Sequence, residues 1–456
     1  MNFLTQKNSY FAGIIAFLIL TLILPLIKEN FWNEEHTKDW FFRISAGYFF
    51  LMTTFWSYFN KSLLFSKSLI RNLMLIVAAS ISILWTYKMK ITYRFDIILV
   101  FLGILHSVLY RKFIKPNAII IGFSFFTLWR IIGLLWSPDI AYALQITGWE
   151  MTTLMILTCI FGLNFRATPK ETNAFIAISF KLLLGLLAVN IAIYHLYINT
   201  LEKSFFSFFT LNKGYLPYYE VLRWSVFKHP SFITWLLLLI GGLGFLVHKE
   251  NKKLISIYEV VLYAILLLFL MLIVQARVTI LSYVLSLLFF FWLHISKNWS
   301  FKNKAIIIIS AVALGISSIT FLVQNTIYFS DPIRANMYEK GFEKIKENPI
   351  LGNGTSTQSV LLKDIGHPHL HNDFLASCVD LGIIGLLLLI GWIISIFYIG
   401  TRDKNTKIIY TICIFLPMMN TETILFSDFG AIGGTILIPF LIYLFFVEEK
   451  SIEELP

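Results

Sequence analysis

Apolar runs long enough to cross a lipid bilayer recur along this chain from Phe11 to Val447, separated mostly by short loops that hold the basic residues. A spanning helix needs about 20 consecutive apolar residues, and only helices and closed barrels satisfy their backbone polar groups inside lipid. The runs begin near residues 11, 41, 69, 96, 117, 142, 173, 231, 254, 277, 304, 377, 407 and 429. Several are short, so about twelve to fourteen transmembrane helices are expected, in one all-α polytopic membrane domain over residues 1–456. Composition agrees: 57% of residues are hydrophobic and 14% charged, against about 25% charged in soluble domains. Such a chain cannot cover itself in water, which excludes a soluble enzyme, a disordered tail protein and a nucleic-acid binder.

The net charge of +11 follows from basic loops such as Arg111/Lys112/Lys115, Lys249/Lys252/Lys253 and Arg402/Lys404/Lys407, which the positive-inside rule assigns to the cytoplasm. Lys88, Lys90 and Arg94 fall on the other side of that alternation. The first run, Phe11 to Ile27, has no small-residue cleavage site and reads as a retained span. Cys159, Cys378 and Cys413 sit in or beside apolar segments, with neither a disulfide framework nor a metal spacing. Two longer loops, 199–230 and 324–376, come out on the opposite, extracytoplasmic side. Long loops carry function disproportionately.

In the second loop, Asp331-Pro332 predicts a helix start, and Ile333 to Glu347 is amphipathic. Ile333, Met337, Tyr338, Gly341, Phe342 and Ile345 share one face at about 100° per residue. Arg334 falls on that apolar face, where it either snorkels or pairs with a buried acid, or else binds an anion in a cavity. Arg277 lies in an apolar stretch too long for one span, so the chain is expected to break near Gln275. An arginine at a helix centre costs roughly 2.5–3.5 kcal/mol on insertion scales, so intramembrane charges are functional by default. A helix-end snorkel is the other reading.

The densest local signal is His367-Pro368-His369-Leu370-His371-Asn372-Asp373. Read as extended chain, its period of two puts three histidines on one face, which suits a zinc trio, a general base working near neutral pH or simply the polar edge of a loop. Arg223, Lys228 and His229, with aromatic neighbours before the span at 231, could bind phosphate or simply anchor the chain at the interface.

His371-Asn372, followed after nine residues by Gly382-Ile383-Ile384-Gly385 and Leu388, resembles the signature of the bacterial O-antigen ligase family. Its superfamily also holds O-antigen polymerases and some protein O-oligosaccharyltransferases. The resemblance extends to Arg334-Ala335-Asn336-Met337-Tyr338, Gly341, Pro349 and Gly352-Asn353-Gly354, to Gln275-Ala276-Arg277, to Arg223–Pro230 and to Phe426-Ser427-Asp428. Ser231 stands where many members carry Asn. The match is concentrated in 223–428. It implies a GT-C-like helical fold with short helices in a large periplasmic loop. It also implies transfer of a polysaccharide from undecaprenyl pyrophosphate to the lipid A-core acceptor, with inversion and without ATP, metal or other cofactor. Carried over by motif, Arg277 and Arg334 would cradle the pyrophosphate, with Arg223 a third member. His371 would be the base, His369 or Asn372 would orient it or the substrate, and Asp428 would pair with an arginine or the base.

Three other readings stand beside this one. An O-antigen polymerase would use the same donor to extend another lipid-linked chain. A carrier without covalent chemistry predicts charges spread through midplane spans, whereas the unusual charges here gather in the two loops and at their edges. A zinc hydrolase rests on the three histidines alone.

Overall fold

A computed structural model of the protein describes residues 9–27, 35–87, 89–110, 114–149, 152–206, 230–274, 276–295, 300, 332–367, 369–425 and 432–447. These form a helical bundle: α1 (Ser9–Ile27), α2 (Glu35–Phe59), α3 (Leu69–Tyr87), α4 (Met89–Tyr110), α5 (Ala118–Ile132), α6 (Ile140–Trp149), α7 (Thr152–Phe161), α8 (Pro169–Thr200), α9 (Pro230–Glu250), α10 (Ile257–Ile273), α11 (Arg277–Ile295), α12 (Pro332–Glu347), α13 (Asp373–Arg402), α14 (Thr406–Thr421) and α15 (Ile432–Phe440). Among the described residues six helices, α3, α4, α5 with its 3-10 extension, α8, α9 and α13, are long and apolar enough to cross a membrane, and shorter apolar helices accompany them. The protein is a polytopic helical membrane protein. The run near 142 folds as two short helices, α6 and α7, and the run near 304 lies outside the described residues. As its length demanded, the stretch around Arg277 is split, one helix ending at Ile273 and the next starting at Arg277.

The centre of the bundle is α8, whose apolar residues run around its whole circumference and are covered on all sides; a helix apolar all round has no face to give to solvent. It starts from a capping box, Thr168 accepting from the Glu171 amide and Glu171 reaching back, with Pro169 in the first turn. Deep in the bundle the Lys181 ammonium of α8 is bonded to the Glu259 carboxylate of α10 and lies 4.9 Å from the Tyr10 ring and 4.8 Å from the Trp56 ring. One ion pair thus ties α1, α2, α8 and α10. Removing one partner of a buried pair leaves the other charge uncompensated. Glu259→Gln, which keeps a capping-box residue at that position, is therefore expected to lower stability by about 3–5 kcal/mol. The double variant Lys181→Met/Glu259→Gln should recover much of this. Unfolding midpoints in detergent check both, and an unshifted single variant would remove the argument.

The part of the fold that carries the site is α13. It packs on α5, α14 and α12. Asn372 caps its start by accepting from the Phe374 and Leu375 amides at 3.0 Å. Nine residues further the helix kinks at Gly382, with φ 65° and ψ −165°. Helix α12 forms where the amphipathic pattern placed it, but it is rotated about its axis from the expected face. Met337 and Gly341 are buried, whereas Ile333 and Phe342 are exposed. The reason is packing: Gly341 is the residue small enough to meet Leu370 and Leu375, within 3.3 Å and 3.4 Å of where its Cβ would stand. Its predicted cap, Asp331, lies outside the described residues.

Candidate functional site

Two helix ends meet at the site. Asp373, fully buried at the start of α13, accepts the amides of Ile424 and Leu425 just beyond α14, at 3.1 Å and 3.0 Å. Asn372 donates to the carbonyl and side-chain oxygens of Asn420 at 3.2 Å and 3.1 Å. From α5, the buried Arg130 donates to the Leu425 carbonyl. These bonds fix the chain at 420–425 against residues 371–373.

Glu422 follows directly on α14 and is 1% exposed. Its Oε2 lies 2.7 Å from His371 Nδ1. Its Oε1 accepts from Arg334 Nη2 at 3.3 Å, and Arg334 Nη1 donates to the Thr421 carbonyl at 2.8 Å. Of the placements open to Arg334 in the sequence, pairing with a buried acid is the one the structure contains. His371 holds φ at 53°, a left-handed conformation that costs a non-glycine residue on the order of 1–3 kcal/mol and persists only where its surroundings enforce it. Here its carbonyl accepts from the Tyr338 hydroxyl at 3.4 Å, and Asn372 and Asp373 immediately after it are tied down.

The loop 349–358 supports this arrangement from below. Gly352 and Gly354 have φ of 78° and 98°. The amides of Asn353 and Gly354 donate to the Val379 and Asp380 carbonyls at 3.0 Å and 2.9 Å, and Ile383 donates to the Pro349 carbonyl at 2.9 Å. The buried Asp380 carboxylate accepts from the amides of Ser356 and Gln358 at 3.0 Å and 2.9 Å. Gln358 in turn accepts from the Leu370 amide at 3.2 Å, one residue before His371. The Gly352-Asn353-Gly354 motif and the glycine at 382 are therefore two halves of one contact. On the far side of the loop, Lys340 of α12 lies 2.5 Å from Asp364 and holds that carboxyl below its usual value. The folded state keeps this exposed tie above that lowered value and loses it as pH falls through it.

The three histidines do gather, although through an irregular loop and not a strand: the His369 and His367 rings lie 4.2 Å and 6.1 Å from that of His371. The structure brings His371, His369 and Arg334 together. It uses Asn372 as a helix cap and a link to Asn420. Arg277 begins α11, while Arg223 and Asp428 lie outside the described residues. Glu422 is the residue that the sequence reading passed over. Its signal was available, since it is the only acid between Asp403 and Asp428 and closes an apolar run.

Chemically, an Nδ1–H donated to Glu422 leaves the lone pair of Nε2 to accept a proton, as in any carboxylate-oriented imidazole. His369, His371 and Glu422 also offer metal-ligating atoms within 4.8 Å of one another. The Arg334 guanidinium already pairs with that carboxylate, and its charge opposes a second cation there.

Comparison with the curated proteins finds no match. Residues 262–390 match the sequence model of the family described as O-antigen ligase. That segment contains Arg277, Arg334, His369, His371, Asn372 and the Gly352/Gly382 contact, whereas Glu422 lies beyond it. The chain thus carries an O-antigen ligase family domain over residues 262–390.

Proposed function

We propose that the protein transfers a polysaccharide from undecaprenyl pyrophosphate to a sugar hydroxyl of the lipid A-core, at the periplasmic face of the bacterial inner membrane. The observation that carries this reading is the His371–Glu422 contact at 2.7 Å, with Arg334 on the other carboxylate oxygen. The acceptor hydroxyl gives its proton to His371 Nε2 while its oxygen bonds to the anomeric carbon of the donor sugar. The bond from that carbon to the phosphate oxygen breaks, and undecaprenyl pyrophosphate leaves with the electron pair. Glu422 holds the imidazole tautomer and stabilises the imidazolium that forms. Arg334, with its side chain 30% exposed, faces the developing charge on the leaving group, and Arg277 is the second candidate for that task. Neither ATP nor a metal enters the scheme.

The test is transfer in vitro, with purified protein, lipid-linked polysaccharide and lipid A-core in EDTA, followed by gel. Slow-migrating lipid A-core, absent with His371→Ala, is the expected result. Lengthened donor chains beside untouched lipid A-core would make the protein a polymerase. A fork of two N–H groups matches a phosphate better than an ammonium does, so Arg334→Lys should weaken donor binding. Unchanged affinity for undecaprenyl pyrophosphate would take Arg334 out of the cradle.

A further inference from the structure

At the other end of α14 the bundle has a feature that the transfer chemistry does not use. Gly241 and Gly242 leave the surface of α9 bare, and the rings of Tyr263 and Tyr410 lie against it. A Cβ on Gly242 would stand 2.1 Å from Tyr410 Cζ, and one on Gly241 would stand 2.7 Å from Tyr263 Cε1. With both rings against α9, a groove of about 250 Å³ remains between α10 and α11, lined by Val261, Ala264, Leu287 and Phe290 among others. Its hydroxyls are turned inward: Tyr410 donates to the Leu238 carbonyl at 3.1 Å and meets Ser286 at 3.1 Å, and Tyr263 donates to the Leu237 carbonyl at 2.7 Å. The open side is formed by Val261, Leu287 and Ile257, 51%, 54% and 44% exposed. Such a slot takes a hydrocarbon chain.

The chemistry at its mouth is different. Phe245, which lines the groove, carries the Lys249 ammonium 5.2 Å from its ring centroid. Lys252 and Lys253 follow in the next turn, and all three lysines are exposed. The nearby Glu250 carboxylate accepts from Lys407 at 2.5 Å and from Asn173 at 3.1 Å, so its charge is matched by a fourth lysine. A cationic rim thus stands at one end of an apolar slot, as phosphate and acyl chain stand in a phospholipid. Basic pockets between spanning helices bind anionic head groups in this way. Lys407 and Glu422 are fifteen residues apart along α14 and its cap, about 22 Å at the helical rise, which puts this mouth at the end of the bundle opposite His371.

We infer that the groove is a binding site for an anionic phospholipid of the leaflet at the Lys249 end, with one acyl chain between α10 and α11 and its phosphate held by Lys249, Lys252 and Lys253. The site is independent of the transfer reaction. Native mass spectrometry of the purified protein, loaded with phosphatidylglycerol or with phosphatidylcholine of the same chains, tests it. Phosphatidylglycerol should be retained roughly 10- to 100-fold better. Lys249→Glu/Lys252→Glu/Lys253→Glu should abolish that preference, and the milder triple change to Gln should reduce it. Val261→Trp, a substitution at an exposed position that fills the slot, should lower retention of both lipids. Equal retention of the two lipids by the unchanged protein would overturn the assignment, as would a preference that survives the lysine changes. So would retention indifferent to Val261→Trp.

Discussion

Glu422→Gln is expected to slow transfer by about 10³- to 10⁴-fold while leaving the protein folded. The side chain keeps its shape, so the packing around α14 has no reason to change. What changes is the character of the atom facing His371 Nδ1. Glu422 Oε2 is an acceptor at 2.7 Å, and an acceptor holds the imidazole proton on Nδ1. An amide nitrogen in its place favours the other tautomer, with the proton on Nε2, where the acceptor hydroxyl needs a lone pair. The imidazolium formed during transfer also loses its counter-charge, and Arg334 loses the carboxylate it pairs with. Initial rates at saturating donor, with helicity by circular dichroism as the folding control, measure this. A rate within about tenfold of the unchanged protein would show that Glu422 does not orient a base.

Gly382→Ala should have the largest effect on stability of any single methyl group in the region of the site. The added Cβ would stand 2.2 Å from the Ile350 carbonyl oxygen and 2.5 Å from the Gly352 amide nitrogen. Both are backbone atoms and cannot rotate away. The conformation itself, with φ 65° and ψ −165°, belongs to a region that is essentially restricted to glycine. Clash and strain together predict a loss of about 4 kcal/mol or more, read as a lower unfolding midpoint in detergent. Because the loop 349–358 docks on this kink, protease cleavage should appear within it first. A midpoint unchanged from that of the parent, with the loop still protected, would contradict the contact as described.

Hydropathy alone made the all-helical membrane architecture legible, because lipid leaves a backbone so few options. It also placed the break before Arg277. The histidine motif and Arg334 were legible as chemistry, since a charge on an apolar face and three histidines in five residues need explaining. Glu422 stood out only as a lone acid closing an apolar run; its role was not legible, because it depends on a contact 51 residues away that no local pattern encodes. Asn372 shows the converse. The family resemblance implies that it orients His371 or the substrate; in the structure its side-chain oxygen caps α13, a role open to any Asn before a helix. The rotation of α12 has the same origin: a helix turns to whichever of its faces fits its neighbour, and Gly341 fits Leu370 and Leu375 better than Phe342 could.

The clamp of Asp373 on the amides of Ile424 and Leu425 bears on when the protein becomes competent during its synthesis. His371 is polymerised 51 residues before Glu422, with α13 and α14 between them. A nascent chain that has emerged as far as α13 owns its imidazole but not the carboxylate that aims it. Only after the last turn of α14 is in place can the two helix ends lock. A chain terminated before Thr406 would therefore contain every residue of the family segment and yet lack the Glu422 carboxylate, and under the proposed mechanism it is expected to be inactive in transfer.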